Sequence, residues 1–344
     1  MKRKLGPLRA AGSREGLTKS QAEAELRRLI REVRPVERRE RVTIEEAGNA
    51  YIAHVRDFLE RKPSTVQDYR GILRQIARFF GSRGVDQIRP ADVTEHAAAK
   101  GAEGRSTKTI ANHLNFLHGL LAFAVKRGWA TANAVAVTDR PRCPGPDPDI
   151  RFLDRSEVEA LLDAVSDDRL GPTDRALYMV AAMCGLRQGE LVALRWRDVD
   201  WEVGVIRVRR NFTRGRFGTP KSRRSSRAVP MPGRVAAELE RHRQRSAYAT
   251  DSDLVLCHPD TGRPYDASKL RKRFKAAVSA AGIREIRFHD LRHTFGTRMA
   301  AAGAPLRNIQ EWMGHRDYKT TLIYADYAPD PSQGARWAEA AFGH

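Results

Sequence analysis

The sequence predicts a mainly α-helical protein with a small antiparallel β-sheet, divided into two domains. Its 344 residues are enough for two cores and a short appendage. Apolar residues recur at three- and four-residue steps over most of the chain, and only two short runs read as strands. Pro141, Pro144, Pro146 and Pro148 interrupt the middle; this spacing excludes a helix and reads as a stiff, extended linker.

Residues 1–40 hold twelve cations and six acids. One helix is expected there, starting at Thr18-Lys19-Ser20, with Ala22, Leu26, Ile30 and Val33 at helical spacing. The segment reads equally as a DNA-contacting arm or a frayed tail. Residues 41–138 read as an all-helical domain. Ser64-Thr65-Val66-Gln67 has the form of a capping box, followed by Val66, Tyr69, Leu73, Ile76 and Phe80 and closed by Gly81. A second long helix is expected over Ser106–Arg127, with Ile110, Leu114, Leu117, Leu121 and Val125 facing inward. Shorter helices should begin near Thr43 and Pro90.

Residues 139–150 form the linker, 151–330 the second domain and 331–344 a tail. Asp154 and Glu157 mark a helix start, and a further helix is expected over Asp174–Cys184. Val203–Val208 and Ser226–Met231 read as strands, with a basic turn carrying Lys221 between them.

The net charge is +20, with 62 Lys and Arg against 42 Asp and Glu. Residues 207–227 hold nine of these cations and no acid, which favours a nucleic-acid partner over a solvated surface of mixed sign. Phe212 and Phe217 form no amphipathic helix, so a membrane surface is disfavoured. No apolar run approaches the ~18 residues of a membrane span. The basic start lacks the apolar stretch of a secretory signal. Cys143, Cys184 and Cys257 are far apart and make no metal or disulfide pattern, and a reducing cytoplasm is expected.

Several short motifs carry the chemistry. Arg187 follows Gly185, where one helix closes and the next starts, with Glu190 placed to steady its guanidinium. His289, Arg292 and His293 share one helical face. A zinc site on these histidines is the rival reading, weakened by Asp290 in place of the metalloprotease glutamate and by the fixed charge of Arg292. His315 follows Met313-Gly314 at the end of a helix that Pro305 opens and that faces Leu306, Ile309 and Trp312 inward. Tyr324 and Tyr327 both follow; the residues alone do not choose between them. Two guanidiniums can clamp a phosphodiester in bidentate fashion, a lysine can protonate a leaving oxygen, and a histidine can take a tyrosine proton. Such a set requires neither metal nor nucleoside triphosphate.

This constellation resembles the tyrosine recombinase, or phage integrase, family. The family pattern is an arginine in a G-L-R-x-G-E-L block, a lysine on a β-turn, H-x-L-R-H, a G-H pair, and a tyrosine nine residues after that histidine. Here these read Gly185–Leu191, Lys221 in Thr219-Pro220-Lys221-Ser222, His289–His293, Gly314-His315 and Tyr324, with the spacing selecting Tyr324 over Tyr327. The resemblance covers residues 41–330. Ala134 replaces the proline usual after Asn133, and Met313 the common leucine before Gly-His.

The resemblance implies a two-domain DNA clamp: a helical, SAM-like core-binding domain and a catalytic domain whose set is Arg187, Lys221, His289, Arg292, His315 and the nucleophile Tyr324. It implies strand cutting and rejoining through a 3′-phosphotyrosyl link without a cofactor. The implied partners are double-stranded DNA attachment sites, three further copies of the chain and accessory DNA-bending or directionality factors. A bacterial or phage-encoded, nucleoid-associated protein is expected. A type IB topoisomerase, a catalytically dead DNA-binding regulator and a metallohydrolase are the alternatives.

Overall fold

A computed structural model of the chain describes residues 16–32, 41–141, 150–218 and 227–325, with 335, 338, 339 and 341–343. The chain divides into two compact units, residues 1–144 and 145–344. The prolines at 144, 146 and 148, Cys143, Lys221 and Tyr327 lie outside the described residues.

The first unit is helical. After α1 (Lys19–Glu32) come α2 (Ile44–Asp57), α3 (Pro63–Phe80), α4 (Pro90–Ala102) and α5 (Thr107–Lys126). Thr43 caps α2 in a full capping box with Glu46, and Ser106 caps α5. The N-cap is Lys62, without a side-chain cap bond, and not the expected Ser64. Helix α3 starts two residues earlier than a cap at Ser64 implies, at Pro63, where the fixed φ of proline suits the first turn and its missing N–H is not needed. Ile52, Leu73, Ile76, Leu114, Leu117 and Leu121 meet in one core. Val125, expected inside, is exposed, whereas Phe123 and Ala124 in the same last turn of α5 are buried.

The second unit begins with α6 (Arg155–Asp163), which Asp154 and Glu157 cap reciprocally. Helix α7 (Gly171–Cys184) starts before Asp174, with a proline in its first turn, and is buried along almost its whole length. The short α8 (Gln188–Leu191) follows. Strands β1 (Val199–Asp200), β2 (Val205–Val208) and β5 (Arg227–Pro230) form an antiparallel sheet in the order β1-β2-β5, with Ile206 opposite Val229 and Val208 opposite Arg227. Between β2 and β5 lies an unexpected hairpin, β3 (Asn211–Thr213) and β4 (Arg216–Gly218). Its turn holds Arg214 at φ 53 and Gly215 at φ 77, the left-handed pair that a two-residue hairpin turn requires. In the sequence this stretch reads as one turn, because its run of arginines conceals the short Asn-Phe-Thr and Arg-Phe-Gly strands.

Helices α9 (Gly233–Arg245), α10 (Ala267–Ala280), α11 (Asp290–Ala301), α12 (Leu306–Met313) and α13 (Lys319–Leu322) complete the unit. Helices α7 and α11 form its centre, buried on most faces, and the elements that carry Arg187, His315 and Tyr324 pack around them. Among the described residues no helix is long and apolar enough to cross a membrane.

Candidate active site

The site is assembled where three chain reversals meet. Gly185 ends α7 in the left-handed conformation (φ 65, ψ 24) and hands Arg187 to the N-cap of α8. A side chain at Gly185 would be strained, and its Cβ would lie 2.4 Å from the Phe295 ring of α11. Gly314 ends α12 in the same way (φ 60, ψ 45) and delivers His315. Tyr324 follows α13 and is only 1% exposed.

Two arginines bind these reversals together. Arg292, 3% exposed, donates from Nη1 to the carbonyl of Gly185 at 2.5 Å and from Nη2 to that of Met313. Arg187 donates from Nη2 to the carbonyl of Gly314 at 3.1 Å and from Nη1 to Oε1 of Glu190 at 3.0 Å. The last carbonyls of α12, which have no partner within a helix, are thus satisfied by guanidiniums. A third arginine, Arg227 at the start of β5, chelates Glu190 with Nη1 and Nη2 at 3.0 and 2.8 Å and donates from Nε to the carbonyl of Trp312 at 2.5 Å.

The electrostatics follow from this crowding. Burial alone would raise the Glu190 carboxyl; the hydrogen bonds and charge of Arg227, with Arg187, outweigh it and hold the group at about 2. Burial, reinforced by the charges of Arg187 and Arg227, lowers Arg292 to about 9, so it stays charged at neutral pH. Three guanidiniums therefore face one carboxylate, and the site carries surplus positive charge suited to an anion.

The histidines take separate positions. His315 Nδ1 is 2.9 Å from the hydroxyl of Thr321, and its ring stacks on Tyr324 at 6.3 Å and 14°. His293 Nδ1 is 2.9 Å from the Tyr324 hydroxyl. His289, at the N-cap of α11, is exposed, and its ring meets that of His293 edge-on at 5.5 Å. Burial first, then the neighbouring positive charges, lower His315 to about 3; burial and the nearby His289 lower His293 to about 4. These rings are thus neutral at physiological pH and do not titrate near neutrality as free imidazole does. Burial pushes the Tyr324 phenol up to about 12 against the opposing charges of Arg292 and Arg187.

The structure brings together Arg187, Arg292, His315 and Tyr324, with His289 at the rim against His293. Lys221 lies outside the described residues. Three participants were not in the expected set. Arg227 was counted only as one basic residue among nine, and nothing in its local sequence distinguishes it. His293 shared the helical face of Arg292, which was a usable signal. Thr321 stands three residues before Tyr324, one helical turn away. Among the described residues no group of three metal-binding side chains occurs.

Residues 151–330 match the model of the phage integrase family, and residues 49–128 that of the phage integrase N-terminal SAM-like domain. The chain belongs to the phage integrase family of tyrosine recombinases. It is 32% identical to the tyrosine recombinase XerC of Xanthomonas axonopodis pv. citri, over 69% of this chain and 73% of the relative. It is 28% identical to a XerC-like tyrosine recombinase of Caldanaerobacter subterraneus, over 80% and 78% of the two chains. The fold is shared with the Tn1549 transposon integrase in complex with transposon right end DNA (TM-score 0.69, 22% identity, 88% of this chain and 100% of that one). It is also shared with a DNA-bound lambda integrase dimer (TM-score 0.61, 16% identity, 79% and 96%). As a tyrosine recombinase, the chain cuts and rejoins DNA strands through a phosphotyrosyl intermediate.

Proposed function

We propose that this recombinase acts on specific double-stranded DNA sites, with Tyr324 as nucleophile and Arg187, Arg292, Lys221, His289 and His315 as the remaining catalytic groups. The observation that carries this reading is the convergence on one turn. Arg187 and Arg292 grip consecutive carbonyls, Gly314 and Met313, and the next residue, His315, stacks on Tyr324. A guanidinium held this way keeps its remaining N–H groups for the non-bridging oxygens of a phosphodiester. The arginines then stabilise the charge of the pentacoordinate transition state, and no proton need move to do so. Lys221 protonates the departing 5′ oxygen, and His289 and His315, kept neutral, donate hydrogen bonds.

Tyr324 becomes joined to the 3′ phosphate, and the freed 5′-hydroxyl of a partner strand reverses the step. Four copies on two sites exchange strands in two rounds through a Holliday junction, assisted by accessory factors, in a bacterial cytoplasm. The test is a set of nicked duplexes drawn from the DNA on either side of the gene, incubated with the full chain in excess EDTA. A covalent protein–DNA band on a denaturing gel is expected. Its absence without EDTA would refute the site assignment, and its loss only with EDTA would point to metal chemistry. Arg187→Lys should lower the yield about 10²–10³-fold at unchanged DNA affinity, because the planar fork is lost while the charge remains.

A further inference from the structure

Of the three histidines around Tyr324, only His293 touches the phenol oxygen. Nδ1 stands 2.9 Å from Oη, a normal hydrogen-bond distance. The Nδ1 atom of His315 is taken by Thr321, and His289 sits at the exposed rim. The tyrosine ring is fixed on two sides: His315 stacks against it, and the Gly296 backbone of α11 lies directly beneath it. Packing thus holds Oη at His293 Nδ1, which accepts from the phenol when the ring carries its proton on Nε2. We infer that His293 is a catalytic residue that orients the Tyr324 phenol and receives its proton during strand cleavage. This rests on the assignment of Tyr324 as nucleophile.

The step balances without a further reactant. As the Oη–P bond forms and the P–O5′ bond breaks, the phenol proton passes to His293 Nδ1, and the departing O5′ takes a proton from Lys221, the acid of the proposed catalytic set. On rejoining, the 5′ hydroxyl attacks phosphorus and gives its proton to the neutral amine of Lys221, while the imidazolium returns its proton to the departing phenolate. The groups facing His293 are His289, Asp290, Arg292 and Arg287 from its own segment and Tyr324 from the segment after α13. Among these the cations weaken it as a base before DNA arrives. The scissile phosphate brings negative charge next to both rings; it favours the imidazolium and disfavours a free phenolate, so the proton leaves as the Oη–P bond forms and not before it. A phenol held up near 12 needs such an acceptor, because almost none of it is ionised at neutral pH.

The experiment compares His293→Phe and His293→Asn in single-turnover cleavage of the nicked duplex. Each is measured with tyrosine and with 3,5-difluorotyrosine at position 324. Phenylalanine keeps the shape and removes the acceptor. Asparagine can place an oxygen near the Nδ1 position and accept the hydrogen bond, but it cannot carry the proton away. Both variants should bind DNA like the wild type and cleave about 10²-fold more slowly. The fluorinated phenol, being more acidic, should recover most of that loss in the variants and add little to the wild type. A merely structural role would show no such selective rescue. Cleavage within threefold of wild type in either variant, or an equal fluorine effect in all three proteins, would overturn the inference. If the phenylalanine variant does not fold, the asparagine variant decides by the same criteria. Tyr324→Phe runs alongside: an adduct there would refute the nucleophile assignment itself, a different failure from that of His293.

Discussion

Arg227 and Glu190 form a bidentate ion pair in which each side chain is only 5% exposed, and through it one strand of the sheet holds the arginine of another segment in place. Glu190 Oε1 accepts from both Arg227 and Arg187. Arg227 also holds the Trp312 carbonyl, one turn of chain before His315. Removing one member of a buried pair leaves the other charged and unpartnered. Arg227→Met should therefore destabilise the second unit by about 3–5 kcal/mol in urea unfolding. The Arg227→Met/Glu190→Leu double variant should recover part of that stability but not cleavage, since Arg187 loses its anchor. Recovery of cleavage by the double variant would show that the pair serves stability alone.

Gly296 tests the placement of the nucleophile. An added Cβ would lie 2.6–2.8 Å from three ring carbons of Tyr324, a contact that forces the ring to move. Alanine otherwise suits the interior of α11 better than glycine. Gly296→Ala is expected to bind DNA normally and to lose at least ten-fold in adduct formation, read on the nicked duplex. Wild-type cleavage would mean that the productive position of Tyr324 is not the one against α11.

The first unit should lose stability in mild acid. His96 is fully buried, with Nε2 3.3 Å from His113 Nδ1, and burial followed by the His113 charge lowers it from 6.5 to about 4. The unfolded chain thus binds the proton more readily than the folded one. The contribution is complete above pH 6.5 and is lost as pH falls through about 4. At full size it is roughly 3 kcal/mol. Urea midpoints of the full chain, followed through the Trp129 signal, should decline across this window; a midpoint constant from pH 7 to 4 would contradict the neutral pair.

The basic stretch is less available to DNA than its composition suggests. Arg207 is bound to Asp200 and Arg210 to Asp198, whereas Arg216 is exposed on the hairpin. Each phosphate contact contributes about −0.9 to the slope of log affinity on log salt. Arg216→Ala should make the slope shallower by about that amount, and Arg210→Ala should leave it unchanged. The opposite pattern, in titrations from low to moderate salt, would mean that the Asp198 pair opens on DNA.

Much of the architecture was legible because it is local. Capping residues Thr43, Ser106 and Asp154 and the stops at Gly81, Gly185 and Gly314 declare helix ends by chemistry confined to a few residues. Ser64 misled because a proline one position earlier supplied a better start. Arg187, Arg292, His315 and Tyr324 were found through spacing and resemblance, not through periodicity, and physics alone left Tyr324 and Tyr327 undecided. Arg227 was illegible: its role depends on β5 lying beside α8 and α12, a contact across 37 and 85 residues of chain. The neutral state of the histidines was hidden for the same reason, since burial is a property of the assembled unit.

The central claim is that Tyr324 carries the covalent link. The direct measurement is mass spectrometry of the digested adduct trapped on a nicked duplex. The nucleotide is expected on Tyr324 through a 3′ phosphate, with Tyr324→Phe trapping nothing and Tyr327→Phe still trapping. A nucleotide on Tyr327, or any adduct formed by Tyr324→Phe, would contradict the account.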